Sequence, residues 1–174
     1  MPLIELIEGC RQNKHLAQRT LYEQFAPAML SLCVRYIGDY EIARDALQEG
    51  FVKVFSKIDD YNGNGSFEGW MRKIIVNTVL EMLRKSRLKN NVDIAEIEIE
   101  NSDISAFEKL SAEDLLNLIA SLPDSFRVIF NLHAVEEYSH KEIGEMLKIK
   151  EVTVRSNYFR AREILRKKCI EIYN

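Results

Sequence analysis

Ser139 is followed three residues later by Glu142, and one short turn further on Val154, Tyr158, Ala161 and Leu165 fall at i, i+4, i+7 and i+11. The first pair is a capping box: the Ser hydroxyl accepts a backbone N–H of the first helical turn, and the Glu carboxylate returns to the N–H of Ser139. The second set is a single stripe at the helical period, and such a stripe is buried. Back to back, these features commit the chain to a helix starting at Ser139, with Ile143, Met146 and Leu147 on its apolar side and Ile149 tucked into the same core. A new helix follows from about Glu151. The whole stretch from Leu122 to Lys168 thus reads as a helix, a capped helix, a tight turn and a basic helix.

On the last of these helices, Thr153, Ser156, Asn157, Arg160 and Lys167 lie opposite the stripe, with Arg155 and Arg166 flanking. Short hydrogen-bonding side chains at a helix start, with guanidinium groups behind them, suit base edges in a major groove bordered by phosphates. A helix-turn-helix is the economical reading. The other reading is a helical hairpin whose basic side is simply solvated.

Seven Gly and three Pro in 174 residues point to an all-α protein, and 47% hydrophobic content suffices for one large core or two small ones. The net charge of −3 argues against a nucleic-acid binder only until it is divided by region. From Ser139 to Asn174, nine Lys/Arg stand against five Asp/Glu. From Ser66 to Asn90, Arg72, Lys73, Arg84, Lys85, Arg87 and Lys89 stand against Glu68 and Glu81. Between them, Asn91 to Asp114 holds eight acids and one base, Lys109. Two basic patches are therefore separated by an acidic connector.

Cys10, Cys33 and Cys169 are scattered and odd in number, which gives neither a disulfide framework nor a zinc site and fits a reducing cytoplasm. No apolar run approaches the roughly 18 residues of a membrane span, and Glu5 and Glu8 interrupt the N-terminal apolar run, so no membrane insertion or secretion is expected.

In chain order, Leu3 to Cys10 is a short amphipathic helix. A longer helix runs from about Lys14 to Ile37, with a kink or break expected at Pro27. Gly38 closes it, and Asp39 caps a helix to about Ile58 whose inward stripe is Ala43, Ala46, Leu47, Gly50, Phe51, Val54 and Phe55. Asp59 to Gly65 is a loop with two Asn-Gly pairs. Ser66 caps a helix to about Arg87, with Phe67, Trp70, Ile74, Val79 or Leu80, and Leu83 facing in. Asn91 to Asn101 alternates acid and apolar residues; it reads as a linker, because an all-helical chain offers no partner strand. Ser111 with Asp114 marks a further helix start, and Pro123 suits a first helical turn. The organisation is thus a domain over residues 1–90, an acidic linker over 91–106 and a second domain over 107–174.

His15, His133 and His140 are isolated in sequence, and no catalytic triad order, phosphate loop or metal spacing is present, so no enzyme, metal or cofactor is expected. A second binding candidate spans Asp60 to Lys89. Tyr61, Phe67 and Trp70 offer aromatic rings, Asn62, Asn64 and Ser66 small polar groups, and Lys73, Arg84, Lys85 and Arg87 cations, which together suit unstacked bases on a single strand. The same residues also fit a plain structural role, with Phe67 and Trp70 in the core and the terminal cations answering the helix dipole.

Together these segments resemble a bacterial sigma factor of the extracytoplasmic-function group, the small members of the sigma-70 family. Asp45-Ala-Leu-Gln-Glu-Gly-Phe-Val-Lys-Val-Phe55 is similar to that family's region 2.2, Phe67-Glu-Gly-Trp70 through Arg84 to regions 2.3 and 2.4, and Leu122-Pro123 through Arg162 to region 4. The resemblance implies a region 2 bundle and a region 4 helix-turn-helix joined by the acidic linker. It implies core RNA polymerase as partner, through the β′ clamp and the β flap, with Asp45, Gln48, Glu49 and Val52 on the clamp. It further implies that the Tyr61–Phe67 loop captures a flipped base of the −10 element, with Trp70 alongside, while Lys73, Asn77 and Arg84 hold the strand. Region 4 would read the −35 duplex through Lys150, Thr153, Arg155, Ser156, Asn157 and Arg160. The carboxylates of the linker suit a basic nucleic-acid channel of the polymerase. An inhibitory anti-sigma protein is a further partner that such factors can have.

Three positions depart from the family pattern: Lys148 stands where Gly is usual in the turn, Lys150 where Ser is usual and Asn157 where Arg is usual. The family's promoter preferences therefore do not transfer. The implied function is a sigma factor that directs core polymerase to promoters and helps melt them, acting in the cytoplasm. The competing readings are a stand-alone duplex-binding regulator and a helical interaction module that binds no nucleic acid. The Asp45–Phe55 stripe beside the aromatic loop separates the first from the second, since a duplex binder requires neither.

Overall fold

The computed structural model describes residues 2–90 and 112–173, which are helices and their connecting turns, with no strand among the described residues. The chain divides into two compact units, Met1–Val92 and Asp93–Asn174. The acidic connector expected over 91–106 and the helix-start residue Ser111 lie outside the described residues.

In the first unit, α1 (Leu3–Arg11) buries Leu6, Ile7 and Cys10. Gly9 lies where α1 meets α2 (His15–Ile37): a Cβ there would come within 2.6 Å of the Ala17 Cβ. Helix α2 runs through Pro27 as one helix, so of the kink or break expected there the break does not occur. Pro27 is exposed, as is Glu23, whose carbonyl loses its helical donor, so water can satisfy the orphaned group. Meanwhile Leu21 and Phe25 before the proline and Met29, Leu32 and Tyr36 after it are all buried, so both halves are anchored in the same core.

Gly38, at φ 78°, terminates α2 in the left-handed region and returns its N–H to the Val34 carbonyl. Asp39 then caps α3 (Tyr40–Ser56), accepting from the N–H of Ile42 at 2.9 Å. Helix α3 stops at Ser56, slightly earlier than expected, and a 3-10 turn, Ile58–Asp60, buries Ile58.

Ser66 accepts from the N–H of Gly69 at 3.0 Å and starts α4 (Phe67–Asn90). Its core stripe is Phe67, Met71, Ile75 and Val79, flanked by Val76, Thr78 and Leu80. Trp70, Ile74 and Leu83, expected to face in, are only half-buried. The steps of four set the inner face one position away, because α3 approaches at Gly50, where a Cβ would collide with the Ile75 side chain.

The second unit contains α5 (Ala112–Ala120), α6 (Asp124–Phe130) extended by a π turn (Asn131–Val135), α7 (His140–Leu147) and α8 (Glu151–Tyr173). Leu118, Ile119, Leu122, Phe126, Ala161, Leu165 and Cys169 form its core. Pro123 sits just before α6, at its N-cap position, not inside its first turn. Arg127 is buried and closes the α5–α6 turn. It donates to the carbonyls of Ala120 and Leu122, each at 2.9 Å, and pairs with Asp124 at 2.6 Å. A cation there meets the unsatisfied carbonyl end of α5.

The capping box at α7 is complete: the Glu142 N–H donates to the Ser139 hydroxyl at 3.2 Å and the Ser139 N–H to the Glu142 carboxylate at 2.8 Å. Lys148, at φ 57° and ψ 42°, ends α7 in the left-handed region. The Ile149 N–H reaches back to the Gly144 carbonyl at 3.0 Å, the six-residue closure of a Schellman turn. This explains two departures from expectation. The backbone of Ile149 packs on α7, and its side chain stays at the surface. The residue that must be small is Gly144, where a Cβ would meet the Ile149 carbonyl oxygen at 2.9 Å.

Candidate nucleic-acid interfaces

The first turns of α8 carry the residues expected to read duplex DNA. Val154 and Ala161 are fully buried and Tyr158 is half-buried, so the stripe anchors the helix. Lys150, Thr153, Arg155 and Ser156 are exposed, whereas Asn157 and Arg160 are half-buried. Arg155 bonds Glu151 one turn back at 2.6 Å, which holds the guanidinium along the helix and occupies the acid of the first turn. Arg166, expected to flank this face, is buried and paired with Glu163 at 3.1 Å, so it belongs to the interior. Exposed Val152 and Phe159 share the outer side with Ser156, a feature that sequence reasoning missed.

Behind this face, the fold gathers residues that are far apart in sequence. The His133 and His140 rings lie 4.2 Å apart between centroids, and His133 meets the Tyr158 ring edge-on at 4.5 Å. His133 Nδ1 lies 2.8 Å from the Tyr138 carbonyl, which can only accept, so this nitrogen carries the proton. Burial, then the neighbouring His133 and Arg155, hold His140 below the ordinary histidine range, with Glu151 opposing them. Periodicity could not foresee this pairing, because His133 lies in the π turn, off the α-helical register.

In the first unit, Tyr61, Phe67 and Trp70 form a three-ring cluster with centroids 5.1 to 5.6 Å apart. Phe67 is only 2% exposed and supports the other two rings from beneath, so of the three expected to meet a base it offers no face. Tyr61 and Trp70 are half-buried, each with a surface open to solvent. The loop is tied internally: the Tyr61 hydroxyl donates to the Gly65 carbonyl at 2.9 Å, and the Asn64 N–H to the Asn62 side chain at 3.0 Å. Gly63 and Gly65 adopt φ of 84° and 81° with open space around them, so backbone conformation alone requires glycine. Asn62, Asn64 and Ser66 are all exposed.

Along α4, Lys73, Asn77 and Arg84 are exposed and follow Trp70 on one stripe. Glu81 falls on the same side and would weaken a cationic track, but Lys53 of α3 binds it at 2.6 Å while also meeting Glu49 at 3.0 Å. The Lys53 hydrogen bond, more than its charge, holds the Glu81 carboxyl below the usual carboxylate range. Side chains from Arg87 onward in α4 are outside the described residues.

Two supporting residues were invisible to sequence reasoning: Lys53, reaching across from α3, and Arg11. From the end of α1, Arg11 donates to the Tyr61 carbonyl at 2.6 Å and lies 3.8 Å from Asp59. Of the residues expected to meet a protein partner, Asp45, Gln48 and Val52 are exposed on α3, and Glu49 is half-buried beside Lys53. Among the described residues, no cluster of His, Cys, Asp or Glu could hold a metal ion, and no helix is long and apolar enough to cross a membrane.

The Sigma-70 region 2 family model matches residues 21–88, and the Sigma-70, region 4 model matches residues 112–165. The ECF RNA polymerase sigma-E factor of Haemophilus influenzae is 30% identical over 94% of this chain and 93% of its own. The ECF RNA polymerase sigma factor SigW of Bacillus subtilis is 31% identical over 96% of each. Among solved structures, the sigma factor RpoE of Bartonella quintana, crystallised with the anti-sigma factor NepR, gives a TM-score of 0.54 at 18% identity. The match covers 90% of this chain and 98% of that one, and the likeness concerns the fold.

Proposed function

This chain belongs to the sigma-70 family, in its extracytoplasmic-function group, and has a sigma factor's role in transcription initiation; from that premise we propose that it binds core RNA polymerase, selects promoters by their −35 and −10 elements and promotes melting. In this reading, residues 1–90 bind the β′ clamp and the −10 strand, residues 107–174 bind the β flap and the −35 duplex, and residues 91–106 connect them. The chain has no catalytic task of its own.

One observation carries the reading: a single chain presents two chemically different nucleic-acid faces. The start of α8 offers exposed hydroxyls and cations on a helix whose opposite side is locked in a core, which suits a groove. Tyr61 and Trp70 at the head of the Lys73–Asn77–Arg84 stripe suit unstacked bases on a cationic track. Beside them, Asp45, Gln48, Glu49 and Val52 place polar groups around one exposed apolar side chain on α3, a fit for the clamp. The sigma factor likeness to a complex with an anti-sigma protein makes an inhibitory partner part of the proposal.

The test is run-off transcription. Core polymerase with this chain initiates specifically at a cognate promoter, and neither component does so alone. Duplex binding by the free chain without any polymerase-dependent initiation at that promoter would instead identify a stand-alone regulator.

A further inference from the structure

Val152, in the first turn of α8, is 71% exposed, and Phe159, two turns along the same side, is 54% exposed. Ser156 lies between them at i+4 from Val152, so the three form one outward stripe. A β-branched residue gains nothing from a helix's first turn on its own account, and Val152 buries little against its own chain. Its surroundings are polar and cationic: Lys150 and Thr153 on either side, Arg155 one turn on, and Lys148 just before the helix, all exposed. Arg155 has Glu151 as its counter-charge, but an apolar protein partner seated on Val152 would still have to bury the neighbouring Lys148 and Lys150, which costs more than one small side chain returns. A polyanion with an apolar spot satisfies both demands.

We propose that Val152 is a specificity-determining residue of the duplex interface, packing on the C5-methyl group of a thymine in the −35 element. The inference rests on the reading of α8 as a groove-entering helix. In a major groove, the thymine methyl is the one apolar group on a base edge, and the first residues of a recognition helix are those that reach base edges. Thr153 and Ser156 would supply hydrogen bonds to neighbouring edges, with Lys150 and Arg155 at the phosphates. Glu151 does not oppose this, because its carboxylate is bonded to Arg155.

The experiment uses the full chain assembled with core polymerase and a duplex library randomised through the upstream element, selected once with thymidine and once with deoxyuridine in its place. The expected consensus contains a thymine whose replacement by deoxyuridine weakens binding about three- to fourfold, the effect of exposing one methyl-sized group. In Val152→Ala that penalty falls to about onefold, while thymines elsewhere in the site keep theirs. An unchanged penalty in Val152→Ala, or a consensus indifferent to the 5-methyl group, overturns the proposal. Loss of all duplex selection, with Arg160→Ala equally without effect, overturns the groove reading itself. Val152 is too exposed for its truncation to unfold the unit, and a thermal melt of the variant verifies this.

Discussion

Arg11→Met tests whether α1 acts from a distance on the Tyr61–Phe67 loop, the proposed site of −10 strand capture. The guanidinium donates to the Tyr61 carbonyl at 2.6 Å and lies 3.8 Å from Asp59, so one side chain spans both ends of the turn leading into the loop. A hydrogen bond from a charged donor contributes about 1.5–3 kcal/mol when water is excluded. The Arg11 side chain is 33% exposed and Asp59 is 80% exposed, so solvent screens the ion pair almost fully and partly replaces the hydrogen bond. About 1 kcal/mol remains, which corresponds to roughly a fivefold change in the population of the ordered loop. Methionine keeps the aliphatic contacts and removes the donor together with the exposed pair to Glu8 at 3.4 Å, which solvent screens. Holoenzyme carrying Arg11→Met should therefore bind a fork-junction probe with a single-stranded −10 segment about fivefold more weakly, with −35 duplex binding unchanged. On a fully duplex promoter, fluorescence of 2-aminopurine in the −10 strand reads the opening directly. An unaltered opening equilibrium refutes the clamp, and equal losses at both elements would show that the variant has lost its fold instead.

Three further outcomes follow from the second unit. Arg127→Met leaves the Ala120 and Leu122 carbonyls without their donor and should destabilise that unit by about 2–4 kcal/mol in urea unfolding; a neutral or stabilising result would mean that burying the guanidinium costs as much as its bonds return. Lys148→Gly relieves a left-handed residue at φ 57° at the cost of extra backbone freedom when unfolded, so a gain of about 0.5 kcal/mol in thermal stability is expected, and a loss would show that the turn is unstrained. Because burial depresses the His140 pKa below 6.5, its contribution to stability is complete above that pH and declines as the pH falls through it; differential scanning calorimetry between about pH 8 and pH 5 should show this decline, and His140→Phe should flatten it.

The amino-acid sequence by itself determined the helices and most of their ends. The capping box at Ser139, the caps at Asp39 and Ser66, the left-handed Gly38 and the buried stripe through Val154, Ala161 and Leu165 are all local patterns, set by hydrogen bonds within four residues or by the helical repeat. Local signals could not decide which of several apolar residues faces inward, because that depends on the neighbouring helix. On α4 the core took Met71 and Ile75 in place of Trp70 and Ile74 because Gly50 of α3 lets that face approach. Nor could they find contacts between distant residues: Arg11 with Tyr61, Lys53 with Glu81, or the His133–His140 rings beside Tyr158 of α8. Helical rotation marked Arg166 as flanking a basic face, and packing withdrew it into the interior; of the two readings open for Phe67, aromatic face or core, packing chose the core. A chain encodes its helices in near neighbours, but which side chains are left outside to meet DNA is decided only when those helices exclude water from one another.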